Sequence, residues 1–152
     1  MMRAARPDEA AHLSALAMRS KAHWGYGDDF MAACRAELTV AASDIASVRV
    51  CESDGGVAGF YCLRVAAGIA EVELLFVAPE RIGHGHGRIL WADLMERAER
   101  FGASEIRVTS DPRAEGFYRA MGCVPIGEEP SASIPGRSLP RLALTLHAAA
   151  TA

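Results

Sequence analysis

Lysine is nearly absent from this sequence: Lys21 is the single lysine, and every other basic residue is an arginine. Acidic residues outnumber basic ones by 19 to 16, and the formal net charge is −3. Domains that bind nucleic acid are usually strongly basic, so this balance argues against a nucleic-acid partner. Hydrophobic residues make up 51% of the chain and charged residues 23%, a composition that excludes an intrinsically disordered protein.

Long hydrophobic runs are missing as well. No segment approaches the ~18 consecutive apolar residues of a membrane helix, and the first residues lack the apolar middle of a signal peptide. Both absences predict a cytoplasmic protein without membrane contact. The cysteines at 34, 51, 62 and 123 form no C-x-x-C pair. We interpret them as buried thiols in a reducing compartment rather than as disulfides or zinc ligands.

The length of 152 residues is that of one domain. We expect a single domain over residues 1–147 and a disordered, alanine-rich tail over 148–152. Periodicity and turn signals predict the order β-α-α-β-β-β-α-β-α-β-β. The residues 53–56, SDGG, predict a hairpin between the second and third strands, and Leu13, Leu16, Ala17 and Ser20 follow the spacing of one helix face. The strands are expected at 2–6, 47–52, 57–65, 70–77, 105–109, 123–127 and 142–147. Asp28 or Asp29 is expected to cap the second helix, and Asp111 the last. This order predicts an α/β (α+β) fold, with a mixed, mostly antiparallel sheet, helices on both faces and a central β-α-β unit.

The segment 77–88, VAPERIGHGHGR, places three alternating glycines between a strand and the first turn of a helix. Such a loop leaves backbone N–H groups unpaired at the positive end of the helix dipole, which suits a phosphate or diphosphate. The spacing differs from the dinucleotide pattern G-x-G-x-x-G, because Arg88 and Leu90 stand where it needs glycine. The Walker pattern also fails, since no lysine follows these glycines. A glycine-rich surface loop that binds nothing is the alternative.

Two motifs, in this order, resemble those of the GCN5-related N-acetyltransferase (GNAT) superfamily. The residues Val77-Ala78-Pro79 and then Ile82-Gly83-His84-Gly85-His86-Gly87 are similar to the family's V-x-P strand end and its Q/R-x-x-G-x-G/A acetyl-CoA signature. The segment 111–123, DPRAEGFYRAMGC, is similar to a second block, N-x-x-A-x-x-F-Y-x-x-x-G-F. Three positions depart from these patterns, with Ile82 for Gln or Arg, Asp111 for Asn and Cys123 for Phe.

The resemblance implies a GNAT-like fold and an acetyl-CoA-dependent N-acetyltransferase that acts directly on a primary amine of a small molecule or a peptide. It implies acetyl-CoA as co-substrate and no metal, and it leaves a homodimer open. Loop amides would hold the diphosphate, and the N–H of Val77 would polarise the thioester carbonyl. The expected cofactor-binding residues are Leu75, Phe76, Val77, Ile82, Gly83, His84, Gly85, His86, Gly87, Arg88, Asp111, Phe117 and Tyr118.

The resemblance also assigns Tyr118 as the general acid that protonates the departing thiolate; a tyrosine that only packs its ring is the alternative. A base must deprotonate the acceptor, because an alkylammonium has a pKa of about 10. Glu71 and Glu73 lie two apart in a strand and therefore on one face, which we expect them to share with Leu75 and Val77. Glu73 is the preferred base and a substrate contact, with Glu71 second. The alternative is that each faces water or pairs with an arginine.

Trp24 and Tyr26 lie in a glycine-broken loop and are predicted to line the acceptor site together with the connection 131–140; alternatively, the two aromatics plug the core. His84 and His86 form an H-x-H pair without further ligands at suitable spacing, so we interpret them as neighbours of the CoA phosphates rather than as metal ligands. Two other functions stay open. One is a non-catalytic acyl-CoA-binding GNAT-like sensor or regulatory module, and the other is an interaction domain without a CoA site.

Overall fold

A computed structural model describes residues 1–146; His147 and the predicted tail, 148–152, lie outside the described residues. The strands are β1 (Met2–Ala4), β2 (Val48–Ser53), β3 (Gly56–Ala66), β4 (Ile69–Val77), β5 (Glu105–Thr109), β6 (Val124–Pro130) and β7 (Ser138–Thr145). The helices are α1 (Ala10–Ala22), α2 (Asp28–Cys34), α3 (His86–Arg100) and α4 (Glu115–Ala120), with 3₁₀ turns at Pro7–Glu9, Ala42–Ser47 and Pro79–Arg81.

The strands of residues 1–146 form one sheet in the order β1-β2-β3-β4-β5-β7-β6. Neighbouring strands run antiparallel, except that β4 and β5 pair in parallel and are connected through α3. The predicted hairpin between β2 and β3 is confirmed. Asp54 and Gly55 form its turn with φ of +50° and +77°, the left-handed pair that a tight hairpin needs. The mixed, mostly antiparallel sheet predicted from the sequence is therefore confirmed.

Helices cover both faces of this sheet. Side chains of β3 alternate between them: Phe60 and Cys62 pack in the core beneath α1 and α2, while Tyr61 and Leu63 pack in the core beneath α3 and α4. The predicted apolar stripe of α1 is buried, together with one lysine that had not been assigned to it. The buried residues of α1 are Leu13, Leu16, Ala17, Ser20 and Lys21.

A polar contact in the core beneath α3 and α4 fixes α3 on the sheet. The hydroxyl of Tyr61, which is fully buried, donates to the Asp93 carboxylate at 2.6 Å. Arg49 of β2 donates to the same carboxylate at 3.2 Å through Nε and Nη2. Burial alone would raise the pKa of Asp93, but these hydrogen bonds hold it below its ordinary value. The helix that follows the glycine-rich loop is therefore held at two strands.

Two predicted helix starts are wrong. The helix α4 begins at Glu115 rather than at Asp111, because the Asp111 carboxylate accepts the N–H of Arg113 at 2.8 Å and closes a turn ahead of the helix. The N-cap of α2 is Gly27, and Asp28 and Asp29 lie in the first turn. The strands β6 and β7 are also longer than predicted, which shortens the connection between them to residues 131–137.

Candidate active site

The candidate site is a cavity that opens where β4 and β5 separate. The two strands pair only over residues 69–72 and 105–108, and within residues 1–146 the rest of β4 has no strand on that side. The space between them is a cavity of about 800 Å³. Its lining includes the glycine-rich loop, the end of β4 and the start of α4, so both motif blocks meet in one place.

Backbone groups of β4 face this opening. The N–H of Ala78 donates to the carbonyl of Ala58 at 2.8 Å, which makes 58 and 78 a hydrogen-bonded pair of the β3–β4 ladder. Such pairs alternate with pairs whose N–H and C=O groups point away from each other. The amides of Leu75 and Val77 therefore point away from β3, toward the side on which β4 no longer pairs with β5. Both residues are among those that the resemblance assigns to cofactor binding.

A bulge at Glu73 changes the faces of β4. Leu74 pairs with Cys62 and Val72 with Leu63, so Glu73 is an extra residue without its own partner on β3. Leu75 and Val77 consequently pack toward the α3 and α4 face, whereas Leu74 and Phe76 pack toward α1 and α2. The expectation that the glutamates share a face with Leu75 and Val77 is therefore wrong.

The glycine-rich loop presents a continuous row of open donors. Among residues 1–146, no acceptor receives a hydrogen bond from any of the amides 83–88, and the first helical N–H to be bonded is that of Ile89. Gly83 and Gly85 have φ of +86° and +85°, a conformation that favours glycine. The amides lie at the N-terminus of α3, where the helix dipole favours an anion. The loop therefore fits a diphosphate.

Gly87 serves a different purpose from the other two loop glycines. A Cβ atom at this position would lie 3.0 Å from Cε1 of Phe117, so the missing side chain makes room for the aromatic ring. Phe117 in turn packs edge-on against Trp91 and Tyr118. The start of α3 and the start of α4 are thus in contact through a glycine and a phenylalanine, one from each motif block.

The two loop histidines bond to one backbone oxygen. Nδ1 of His84 and Nδ1 of His86 each donate to the carbonyl of Arg81, at 3.1 and 3.3 Å. His86 is buried and lines the cavity, whereas His84 is exposed and lies outside its lining. Ile82 lines the cavity with an apolar side chain, and Arg81 and Arg88 supply positive charge beside it.

Tyr118 lies in the cavity wall although it is almost fully buried, at 5% exposure. Its hydroxyl makes no hydrogen bond to the described residues, 1–146. Burial, with a smaller contribution from Cys123, raises the pKa of Tyr118 above its ordinary value, so the hydroxyl keeps its proton at neutral pH. An oriented, protonated hydroxyl of this kind is suited to donate a proton.

Both candidate bases line the cavity, and both are paired with arginines. Glu71 bonds to Arg141 at 2.7 and 3.1 Å. Glu73 accepts one bond from Nε of Arg64 at 3.0 Å, and its side chain is 41% exposed. The glutamates are therefore distinguished by their surroundings, since Glu71 is held at two points and Glu73 at one.

The two aromatic residues predicted to line the acceptor site, Trp24 and Tyr26, lie in different places. Trp24 lines the cavity at 38% exposure. Tyr26 lies outside the lining and stacks on Phe30 at 4.2 Å. Its hydroxyl donates to Asp111 at 2.9 Å and accepts from Arg137 at 2.8 Å. Tyr26 therefore joins the loop after β5 to the connection between β6 and β7.

Asp111 lies at the cavity with its carboxylate occupied by the protein's own groups. Besides Tyr26 and the Arg113 amide, it faces Lys21 and Arg137 at 3.4 Å each. Burial would raise the pKa of Asp111, but these hydrogen bonds and cations hold it below its ordinary value. The carboxylate therefore connects the end of α1, the loop that contains Tyr26 and the connection between β6 and β7. The cofactor contact expected at Asp111 stays a prediction.

Several cavity residues were not anticipated: Lys21, Glu37, Arg113, Glu129 and Arg141. The burial of Lys21 could have been predicted, because Lys21 follows Ala17 by four residues and so lies on the buried face of α1. Arg113 belongs to the second motif block, and Glu37, Glu129 and Arg141 come from turns and strands that are distant in the sequence.

Residues 1–146 contain no group of three or more His, Cys, Asp or Glu side chains arranged to hold a metal ion. The four cysteines are free and buried, as predicted. No helix in the same residues has both the length and the apolar character needed to cross a membrane.

Solved structures share this fold at low sequence identity. A GCN5-related N-acetyltransferase from Rhodopseudomonas palustris superposes with a TM-score of 0.79 at 21% identity, over 96% of this chain and 95% of that chain. The PaiA N-acetyltransferase from Thermoplasma acidophilum, solved in complex with coenzyme A, has a TM-score of 0.75 at 16% identity, over 96% and 98%. The ribosomal-protein-S18-alanine N-acetyltransferase from Escherichia coli has a TM-score of 0.70 at 17% identity, over 95% and 92%.

No curated protein matches the sequence. The sequence profile of the acetyltransferase (GNAT) domain matches residues 9–133. This range is most of the chain, and it includes the glycine-rich loop and the block that contains Tyr118. The protein therefore belongs to the GNAT acetyltransferase family.

Proposed function

We propose that this protein is an acetyl-CoA-dependent N-acetyltransferase that transfers an acetyl group directly to a primary amine. One observation carries the proposal: a single cavity combines the open amides 83–88, the outward amides of Leu75 and Val77, and the buried hydroxyl of Tyr118. An anion cradle, a thioester channel and a proton donor are the parts that such a transfer requires. The cytoplasmic location and the absence of a metal stay predictions.

The residues of this chain would divide the chemistry as follows. The loop amides bind the diphosphate of acetyl-CoA, and the Leu75 and Val77 amides align the pantetheine arm. The N–H of Val77 polarises the thioester carbonyl. Glu73 accepts a proton from the acceptor ammonium, so that the neutral nitrogen forms a bond to the acyl carbon as the C–S bond breaks. Tyr118 then protonates the sulfur, and the second proton that the acylated nitrogen releases restores the hydroxyl of Tyr118 through solvent.

Glu73 is preferred as the base because it keeps an exposed carboxylate with one arginine contact. Glu71 is held at two points by Arg141, an arrangement typical of a structural ion pair. The single contact to Arg64 leaves Glu73 with further acceptor positions for a substrate ammonium.

A second candidate function is a non-catalytic acyl-CoA-binding module. The observation that favours it is that both glutamates at the cavity are already paired with arginines. Such a module would use the loop amides alone and would need neither Tyr118 nor a base.

Release of the CoA thiol from acetyl-CoA, measured over a panel of amines, tests the proposal. We expect wild type to release thiol with at least one amine and Tyr118→Phe to be slower by about 100-fold, with acetyl-CoA affinity retained. Tyr61→Phe is the matched control for stability, because Tyr61 is buried outside the cavity lining and its variant shows what the loss of a structural tyrosine hydroxyl, here the one bonded to Asp93, does to folding and to acetyl-CoA binding. Tight acetyl-CoA binding without turnover of any amine would favour the binding module. Lack of thermal stabilisation by millimolar acetyl-CoA would reject both functions.

A further inference from the structure

Lys21 is a buried cation whose hydrogen-bond donors are left open. Its side chain is 9% exposed, and it lines the cavity at the end of α1. The nearest acidic oxygens belong to Asp111 at 3.4 Å and Glu37 at 3.6 Å, and neither contact is a hydrogen bond within residues 1–146. An ammonium carries three N–H donors, and a buried charge is costly without hydrogen bonds.

The other cations around the acceptor half of the cavity differ from Lys21 in this respect. Arg141 donates to Glu71 and to Thr109. Arg64 donates to Glu73 and Asp44. Arg137 donates to the hydroxyl of Tyr26. Each of these guanidinium groups has acceptors within the protein. Arg88 and Arg113 also line the cavity without side-chain hydrogen bonds, but both are exposed to water. Among residues 1–146, Lys21 is therefore the buried cavity cation whose donors are open to a ligand.

The charges around Lys21 balance, so they do not exclude an incoming oxygen. Two carboxylates, Glu37 and Asp111, face Lys21, and Arg137 lies 3.4 Å from Asp111. Two cations therefore stand beside two anions. What is missing at Lys21 is an aligned hydrogen-bond acceptor rather than a counter-charge.

The position of Lys21 indicates that the missing hydrogen-bond acceptor belongs to the substrate that receives the acetyl group. The walls contributed by α1, the loop that follows it and the turn after α2 contain Ser20, Trp24 and Leu38 in addition to Lys21. They stand on the same cavity as the carboxylates of Glu71 and Glu73, where the reacting amine is proposed to lie. A small molecule whose amine lies near Glu73 can thus extend a polar oxygen toward Lys21.

We infer that Lys21 binds a carbonyl-type oxygen of the acceptor, so that the acceptor is an amine with a neighbouring carboxylate or carboxamide. An amino acid and the N-terminus of a peptide both carry this group, whereas simple alkylamines and polyamines do not. The inference rests on the proposed function for the identity of the cavity as an acceptor site.

Matched ligands separate these chemistries. For the side chains of alanine, leucine and phenylalanine, three compounds are compared: the amino acid, its carboxamide, and the amine that lacks the carbonyl group. Binding to the protein saturated with CoA is measured by calorimetry, and thiol release from acetyl-CoA is measured separately. We expect at least one carbonyl-bearing ligand to bind about tenfold more tightly than its simple amine. If the amino acid binds more tightly than its carboxamide, the oxygen is that of a carboxylate; if the carboxamide binds more tightly, the oxygen is that of an amide.

Variants at Lys21 test whether this preference depends on the ammonium. Lys21→Met should reduce the preference ratio to about one, and Lys21→Arg should restore part of it. Arg100→Met is the control, since Arg100 forms an exposed pair with Glu96 and lies outside the cavity lining. Thermal unfolding of each variant confirms that it is folded.

The outcomes distinguish the two proposals. Equal binding of all three members in every set, or an unchanged ratio in Lys21→Met, overturns the inference. A preference that disappears in Lys21→Met supports it even without turnover, in which case the proposed enzymatic function fails alone. Thiol release without any carbonyl preference leaves the proposed function standing and removes the inference.

Discussion

Glu71 of β4 and Arg141 of β7 form a two-point ion pair that spans β5, with Oε1–Nη2 at 2.7 Å and Oε2–Nη1 at 3.1 Å. The Arg141 guanidinium also donates to Thr109 of β5 at 2.9 Å. Three strands are therefore tied together beside the cavity. This arrangement gives Glu71 a structural role and leaves Glu73 as the candidate base.

Substitution of each glutamate by glutamine should give different results. We expect Glu73→Gln to lower kcat by about 100-fold, because the neutral amide cannot accept the acceptor's proton. Glu71→Gln should instead lower the free energy of unfolding by about 1 kcal/mol, since it weakens a partly buried ion pair. Thiol release with the preferred amine and urea unfolding measure the two effects. A larger kcat loss in Glu71→Gln would reverse the assignment.

The close contact between Gly87 and Phe117 predicts that a substitution at one of the two positions can compensate for a substitution at the other. Gly87→Ala places a Cβ atom 3.0 Å from the Phe117 ring, and we expect this crowding to cost about 1–3 kcal/mol. The shifted ring should also disturb the loop amides and weaken acetyl-CoA binding by about tenfold. Adding Phe117→Leu should recover both losses in part. Thermal shift as a function of acetyl-CoA concentration is the measurement.

Gly116→Ala is the control for this pair, because a Cβ atom at 116 meets no other atom within 4 Å. It should leave the acetyl-CoA shift unchanged. Normal stability and normal binding in Gly87→Ala would contradict the prediction.

An acid-sensitive contact holds the N-terminal strand. Arg3 donates two hydrogen bonds to Glu9, at 2.7 and 2.8 Å, and the N–H of Arg6 donates a third at 2.7 Å. The Arg3 hydrogen bonds outweigh burial and lower the pKa of Glu9 from 4.5 to about 2. The unfolded chain therefore binds this proton more tightly. The contribution of Glu9 to stability is complete above about pH 4.5 and is lost as the pH falls toward 2.

Glu9→Gln should lower the free energy of unfolding at pH 7 by about 2 kcal/mol and remove this part of the acid dependence. Urea unfolding between pH 3 and pH 7 measures the change. Glu96→Gln is the control, since Glu96 forms an exposed pair with Arg100 and should change stability by less than about 0.5 kcal/mol. Parallel pH profiles for wild type and Glu9→Gln would count against the assignment.

Much of the fold follows from local signals in the sequence. The turn at Asp54 and Gly55 and the buried stripe of α1 each depend on residues adjacent in the chain, and both were predicted. The strand β5 has the predicted bounds, Glu105–Thr109, since apolar alternation defines it. The start of α4 was misplaced because Asp111 closes a turn and bonds to Tyr26, which lies 85 residues away in the sequence.

The sequence predicts the glycine-rich loop of the candidate site better than it predicts the side chains that line the rest of the cavity. The glycines and Tyr118 belong to contiguous motifs, whereas the pairs Glu71–Arg141 and Tyr26–Arg137 join distant segments. The bulge at Glu73 arises from how β3 and β4 align, and the sequence of β4 alone carries no sign of it. That is why the alternation rule placed Leu75 and Val77 on the wrong face.

The bulge places Glu73 in β4 without making it part of the β3–β4 ladder. If Glu73 were deleted, Val72 would still lie opposite Leu63 and Leu74 opposite Cys62, so the ladder would run without interruption. Leu75 and Val77 would keep their face, and their amides would still point toward the cavity. Deletion would thus remove the candidate base and spare the polar wall of the cavity, so the two features are independent although one strand carries both.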